Sequence, residues 1–291
     1  SDVCSSDLMI GSQHVGFIGG GVMATTMISG FLKTNTFSKD HVHVFDISEA
    51  RMNYFTKVGI IVNNSIQSLV DACDIIVLAV KPDILLTLLE QPLSDAESFT
   101  PAKLFISIAC GITIKQISDK IRPNGCGIVR LLPNTPCSVL KGICCYTLGP
   151  NTNEDTNVLM KEMFCNLGEV LQIPEYYMDA VVALAGSGPA FIYMLIEALA
   201  DGGVKSGLPR DLALNLSAYT VRGAAEMVIS THKHPAELKD QVCSPGGTTI
   251  TGVEYLEDKG FRGSVMGAVF SAFCRGKEIG NQEIGRASCR E

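Results

Sequence analysis

Two glycine-led segments carry residue types and spacings from which chemistry can be built. The first is Gly16-Phe17-Ile18-Gly19-Gly20-Gly21-Val22-Met23-Ala24, where Gly19-x-Gly21-x-x-Ala24 has the form of a dinucleotide-binding turn. The leading glycine makes the tight turn, the second lets backbone approach a pyrophosphate, and the small third residue lets the next helix pack on the strand. A helix opening at Val22-Met23 offers its first N–H groups and its positive dipole end to phosphates. The motif alone is weak, but here it ends an apolar strand and starts a helix, the setting it needs. The second segment is Ser244-Pro245-Gly246-Gly247-Thr248-Thr249-Ile250. It reads as a turn with a threonine helix cap, or as a helix start whose N–H groups meet an anionic ligand.

Asp46 ends the run Val44-Phe45-Asp46. A carboxylate at this place holds a ribose 2′-OH and favours NAD over NADP, or else it caps the helix that follows, with Ser48 as rival. Arg51 and Lys57 lie near enough in sequence to meet a 2′-phosphate instead, so the residues leave NAD and NADP both open. Ala79-Val80-Lys81-Pro82 and Pro133-Asn134-Thr135-Pro136 follow further apolar runs, at the strand ends where open α/β sheets bind ligands. Lys81 and Asn134 are therefore candidate contacts to the nicotinamide–ribose end; the other reading is a solvated lysine and an asparagine-led turn.

The elements that position these residues alternate. Apolar runs at 14–18, 41–45, 75–79, 104–108 and 127–131 are separated by helical patterns such as 22–33, 49–58 and 83–89. Strands that are apolar throughout and alternate with helices make a parallel sheet covered on both faces. Runs at 143–148 and 170–173 extend its edge. Beyond Pro174 only helices follow: one opened by Pro189 and stopped at Gly202-Gly203, one opened by Pro209, a short one at Pro235, one from Thr248 or Thr249 to Gly260, and a last one over 261–279. The expected fold is an α/β, doubly wound Rossmann-type domain over 9–174 and an all-helical domain over 175–281. Apolar residues occupy more than one face of 212–229 and 265–273, which a domain this small cannot cover alone, so a second copy is expected to cover them.

Composition removes other classes. With 46% hydrophobic and 18% charged residues the chain is not disordered, and a net charge of −7 argues against nucleic acid or an anionic membrane as the main partner. No stretch reads as a membrane span, since the most apolar region, 181–200, is broken by Gly186, Gly188 and Pro189 and carries Glu197. The 11 cysteines lie in hydrophobic runs without a CxxC, which reads as reduced, mostly buried thiols and no metal site. The five histidines read as surface residues. Residues 1–8 and 282–291 read as a non-native leader and tail and are left out of the fold argument.

Taken together, Val80-Lys81-Pro82, the Arg130–Pro136 segment, Gly186-Ser187-Gly188-Pro189-Ala190, Glu197–Val204, Gly207-Leu208-Pro209-Arg210 and Ser244–Ile250 resemble the pyrroline-5-carboxylate reductase family, in family order, from about Val15 to Ile279. The resemblance implies a Rossmann-type domain, a helical dimerisation domain, an active site shared between subunits, and dimers that often assemble into larger rings. It implies hydride transfer from NADPH or NADH to the C=N carbon of 1-pyrroline-5-carboxylate, giving proline; the reduced cysteines point to the cytoplasm, with an organellar location left open. Thr249 matches the family's substrate-contacting threonine and Ser244 the nearby serine, which makes these two the catalytic candidates. Gly246, Gly247, Thr248 and Thr249 are the substrate-binding candidates. Gly19, Gly21, Val22, Met23, Ala24, Asp46, Ala79, Val80, Lys81, Pro82 and Asn134 are the cofactor-binding candidates. Val22 stands where many members carry an asparagine, and Ile66 replaces another asparagine near the third helix, with Asn63 and Asn64 close by. Glu197 faces either the site or a dimer seam. A β-hydroxyacid dehydrogenase would need a lysine on the helix opened by Pro189, and 189–200 has none. A catalytically silent regulator on the same fold is the alternative from another class.

Overall fold

A computed structural model describes residues 9–90, 102–121 and 125–287. The expected leader and the last four residues of the expected tail lie outside the described residues. The helical elements and strands alternate as β1 (Val15–Ile18), α1 (Val22–Lys33), β2 (Val42–Phe45), α2 (Glu49–Val58), β3 (Ile61–Val62), α3 (Ile66–Ala72), β4 (Ile75–Leu78), α4 (Pro82–Glu90), β5 (Leu104–Ser107), α5 (Ile114–Lys120) and β6 (Gly127–Leu132). β7 (Gly142–Leu148), α6 (Glu154–Phe164) and β8 (Gly168–Gln172) complete the sheet. Its order is β3-β2-β1-β4-β5-β6-β7-β8. β1 to β6 are mutually parallel, β7 runs antiparallel to β6, and β8 runs parallel to β7. The order 3-2-1-4-5-6 is that of the doubly wound dinucleotide fold, as expected.

Both faces of the sheet are buried about its centre because the inner strands are apolar at nearly every position, Ser107, His43 and Arg130 being exceptions. Val15, Phe17, Val42, Val44, Ile75 and Val77 pack under α1, α2 and α6. Ile18, Ile76, Leu78, Phe105 and Ile128 pack under α3, α4 and α5. Gly16 lets α3 come close: a Cβ there would lie 2.5 Å from Leu69 Cδ2. β3 has only two residues, too few to show as a hydrophobic run.

After β8 the chain is helical: α7 (Met178–Val181), a π-turn (Val182–Gly186), α8 (Gly188–Lys205), α9 (Arg210–Thr231), α10 (Pro235–Val242), α11 (Thr248–Asp258) and α12 (Phe261–Ala287). The chain forms two compact units. One runs through Gly186 and includes the residues from Phe273 onward; the other is Ser187–Ala272. The change from strand to helix near Pro174 therefore precedes the division into units by about a dozen residues.

Three sequence expectations are corrected here. α8 passes through Gly202-Gly203 to Lys205, and it is Gly207, at φ +100°, that ends it. α12 continues past Ile279 to Ala287. The run Glu175–Lys205 is long and apolar enough, by length and composition, to cross a membrane. Its glycines do not break it: the π-turn absorbs Gly186, and Pro189 sits in the first turn of α8, where a helix needs no N–H.

Within the second unit almost nothing is covered. Of its residues, only Ala200, Ala213 and Ser217 are buried. Met194, Tyr219, Ile229, Tyr255, Met266 and Phe270 are each 64% exposed or more, which bears out the expectation that these helices need a covering surface. The turn from α8 to α9 is tight: a Cβ on Gly203 would lie 3.1 Å from Ala213 Cβ, Leu208 N–H donates to the Gly203 carbonyl (3.1 Å), and Arg210 pairs with Asp201 (2.5 Å). The Asp201-Gly202-Gly203 and Leu208-Pro209-Arg210 segments are thus the two sides of one hairpin.

Nine cysteines are described, all as free thiols, with Cys73, Cys126, Cys137, Cys144 and Cys145 buried. Burial pushes the Cys73 thiol up to about 12. Cys110 departs from the pattern and is exposed.

The histidine expectation is corrected in part. His232 and His234 are exposed, but His43 is 6% exposed because β2 lies between β1 and β3. Its Nε2 meets His14 Nδ1 at 3.0 Å, its Nδ1 meets Asn63 Oδ1 at 3.1 Å, and the His41 ring stacks edge-on against His14. Burial, outweighing the Asn63 hydrogen bond, holds the His43 pKa below 6.5, with His14 and His41 adding to the lowering. A histidine depressed in the folded state stabilises the fold above the unfolded value and loses that contribution as pH falls below it. The melting temperature should therefore drop as pH is lowered through 6.5, and by less in His43→Asn. Equal drops in the two proteins, followed by circular dichroism, would contradict this.

Candidate active site

The glycine turn closes the C-terminal end of β1. Gly19 is at φ +101°, its N–H donates to the Phe45 carbonyl (2.8 Å), and a Cβ there would lie 2.7 Å from the Ala79 carbonyl oxygen. At Gly20 a Cβ would lie 2.7 Å from the Phe55 ring. At Gly21 it would meet no protein atom within 4 Å. The first two glycines are thus required by the fold, and the third leaves clear space at the start of α1. Gly21 is the N-cap of α1 with no side-chain cap, and the first turn has no acidic residue. The first N–H groups of α1, from Val22, Met23 and Ala24, are those a phosphate can take. The Val22 side chain, 64% exposed at this mouth, has no polar group to offer.

Asp46 is tied to the same turn. Its Oδ2 accepts from Gly20 N–H (2.6 Å) and its Oδ1 from Ser48 N–H (2.8 Å). The cap position of α2 belongs to Ser48, not to Asp46. Lys81 is exposed where α4 begins, beyond β4, with half-buried Ala79, Val80 and Pro82 around it. Of the nearby asparagines, Asn63 is engaged by His43, and Asn64 accepts from Ser68 Oγ (3.2 Å).

Asn134 is a correction. It is 8% exposed, its Oδ1 accepts from Ile143 N–H (3.0 Å), and its Nδ2 donates to the Ala185 carbonyl (3.1 Å). A side chain with these bonds pins the π-turn to the start of β7, where the sequence reading had set it toward the cofactor. The sequence reading also missed Arg130, a charged residue in a strand otherwise buried and apolar. At 4% exposure it reaches Glu175 (3.4 Å) and Asp179 (3.1 Å), and Glu175 also accepts from Ile114 N–H (2.7 Å). The clamp fixes where the helical run leaves the sheet. Its signal in the sequence was the arginine inside an apolar run.

In the second unit, the loop before α11 forms a second glycine-led helix start. Gly246 is at φ +65°, Gly247 is the N-cap without a side-chain cap, and Gly247 N–H donates to the Ser244 carbonyl (3.0 Å). The reading of a threonine cap is therefore corrected, since the cap residue is a glycine. A Cβ on Gly247 would lie 2.2 Å from Ser244 Oγ, so the serine hydroxyl sits over that glycine. Thr248 is exposed and Thr249 half-buried. Among the described residues neither threonine hydroxyl has a hydrogen-bond partner. The structure thus brings Ser244, Gly246, Gly247, Thr248 and Thr249 into one loop that can receive an anion on backbone N–H groups, with hydroxyls beside it. Glu197 is exposed on α8, on the face it shares with exposed Tyr193 and Met194.

A doubly wound sheet with a clear pyrophosphate turn, followed by helices carrying a second anion-receiving loop, defines a nicotinamide-dinucleotide-dependent oxidoreductase. Comparison with known proteins agrees. Residues 175–279 match the family model for pyrroline-5-carboxylate reductase dimerisation, and residues 14–111 that for NADP oxidoreductase, coenzyme F420-dependent. The chain is 39% identical over 271 residues to a pyrroline-5-carboxylate reductase of Glycine max, covering 92% of this chain and 96% of that one. It is 39% identical to the Methanosarcina acetivorans protein of the same name, covering 93% and 99%. A crystal structure of Plasmodium falciparum pyrroline carboxylate reductase with NADP bound superposes with a TM-score of 0.84 at 34% identity, covering 93% of this chain and 99% of that one. The chain belongs to the pyrroline-5-carboxylate reductase family.

The two glycines of the first turn should separate folding from binding. Gly21→Ala should change stability by less than about 1 kcal/mol while weakening dinucleotide binding by roughly tenfold or more. Gly19→Ala should cost about 2 kcal/mol or more in stability, because of its φ and the carbonyl beside it. Thermal unfolding and calorimetric titration check both. Full dinucleotide affinity in Gly21→Ala would remove the pyrophosphate from this turn.

Proposed function

We propose that this chain reduces 1-pyrroline-5-carboxylate to proline with a reduced nicotinamide dinucleotide. The observation that carries this reading is the α11 loop, a preformed helix start with two threonine hydroxyls unpartnered among the described residues, in a chain of this family. The substrate is a small ring with a carboxylate and an imine nitrogen. The N–H groups that open α11 hold the carboxylate, and Gly246-Gly247 let it come close. The Thr249 hydroxyl accepts from the protonated imine N–H and so fixes the ring and its proton. The bound dinucleotide supplies a hydride to the C=N carbon. The C=N bond becomes C–N, the nitrogen keeps its proton, and a secondary amine results. No further acid is needed, which agrees with the lack of a lysine on the first half of α8.

The apolar surface of α8, α9, α11 and α12 supports self-association, with a second copy rather than lipid against the run Glu175–Lys205. A larger ring of dimers is part of the proposal. The free cysteines support work in a reducing compartment, and we assign the chain to the cytoplasm.

Nicotinamide absorbance should fall when protein, NADH or NADPH and 1-pyrroline-5-carboxylate are mixed, and should stay constant without substrate. Thr249→Ala should lower kcat about 10²-fold with dinucleotide affinity unchanged. No loss of absorbance with either dinucleotide would leave the silent regulator standing. Sedimentation should show a dimer or a multiple of it, and a monomer at micromolar concentration would contradict the assembly.

A further inference from the structure

We propose that this chain prefers NADH to NADPH, and that Asp46 sets the preference. The inference rests on the dinucleotide reading of the first unit but not on the identity of the reduced substrate. β2 lies beside β1 in parallel register, with Ile18 opposite Phe45, so Asp46 emerges next to the glycine turn that ends β1. Its carboxylate does not swing freely, because Gly20 N–H holds one oxygen at 2.6 Å and Ser48 N–H holds the other at 2.8 Å. Gly20 is fixed in turn, since Phe55 of α2 stands where its side chain would be. A carboxylate offers about four acceptor sites. Two are used, and about two remain on a half-buried group beside the pyrophosphate turn.

The adenosine ribose of a dinucleotide lies next to that turn, at the end of the second strand. A ribose with free 2′ and 3′ hydroxyls brings two donors, which match the two remaining acceptor sites. A 2′-phosphate brings about −1.5 to −2 charges and acceptor oxygens, which the carboxylate repels. The charges around it do not reverse this. Glu49 adds a second carboxylate in the first turn of α2, and Lys39 is engaged with the Val58 carbonyl (2.7 Å). Arg51 is the cation of that first turn, and it is exposed. The relative from Plasmodium falciparum was crystallised with NADP, so the preference inferred here is a property of this chain's own residues.

Calorimetric titration of the full-length protein with NADH and NADPH tests the proposal without turnover. The wild type should bind NADH at least about tenfold more tightly. Asp46→Asn keeps an oxygen for Gly20 N–H and removes the charge, and should cut the preference at least about fivefold, mainly by strengthening NADPH. Arg51→Ala should leave the ratio as it is. Competition by adenosine 5′-monophosphate against adenosine 2′,5′-bisphosphate on the wild type, two probes that differ only in the 2′-phosphate, tests the preference should Asp46→Asn not fold, with the monophosphate expected to bind more tightly. Equal or tighter NADPH binding by the wild type, an unchanged ratio in Asp46→Asn, or a selective loss of NADPH in Arg51→Ala would each overturn the assignment. Binding of neither dinucleotide would overturn the functional reading along with it. The predicted ratio without reduction of 1-pyrroline-5-carboxylate would overturn the substrate alone.

Discussion

A helix that begins on a glycine leaves its first N–H groups without internal partners, and an anion can take them with no cationic side chain nearby. α1 at Gly21 and α11 at Gly247 begin that way, each without a side-chain cap. A protein of net charge −7 that handles a pyrophosphate and a carboxylate depends on such local donors, because its overall field repels both ligands. The glycines around these starts follow from the same constraint. Gly19 and Gly246 supply positive φ for the turns, Gly21 leaves the clearance, and Gly247 accommodates the serine hydroxyl above it.

The remainder of the first unit holds these starts in place. The sheet puts Ala79, Phe45 and Asp46 against the glycine turn, each through one strand end. On the other side of the sheet's centre, Arg130 and Asn134 fasten the strand end to α7 and the π-turn. A buried arginine with two carboxylates is weak evidence for net stability, but removing one partner leaves an uncompensated charge. Its contribution is better read as position: it fixes the point from which the long helical run departs. In the second unit the reverse holds, since its helices bury so little that their order depends on an external apolar surface.

Much of this was legible in residue patterns that act locally. Strands apolar at nearly every position announced a sheet covered on both faces, and the first glycine-led helix start was visible from its spacing and setting, whereas the spacing of the second loop left a threonine cap equally open. What was hidden depends on partners far apart in sequence. Arg130 finds its carboxylates 45 and 49 residues away, and Asn134 donates to Ala185. Nothing in the local pattern of a histidine on β2 tells that strands flank it on both sides. The continuation of helix through Gly186 and Pro189 was missed for another reason. Breakers stop an α-helix, but a π-turn and a first-turn proline evade the rule.

The central claim is that the α11 helix start recognises a carboxylate, and the most direct test removes that group from the substrate. Steady-state reduction of 1-pyrroline-5-carboxylate should be compared with that of 1-pyrroline, the same ring without the carboxylate. Charge-assisted hydrogen bonds worth about 2 kcal/mol predict a kcat/KM at least about 30-fold lower for 1-pyrroline. Equal values for the two rings would contradict the account.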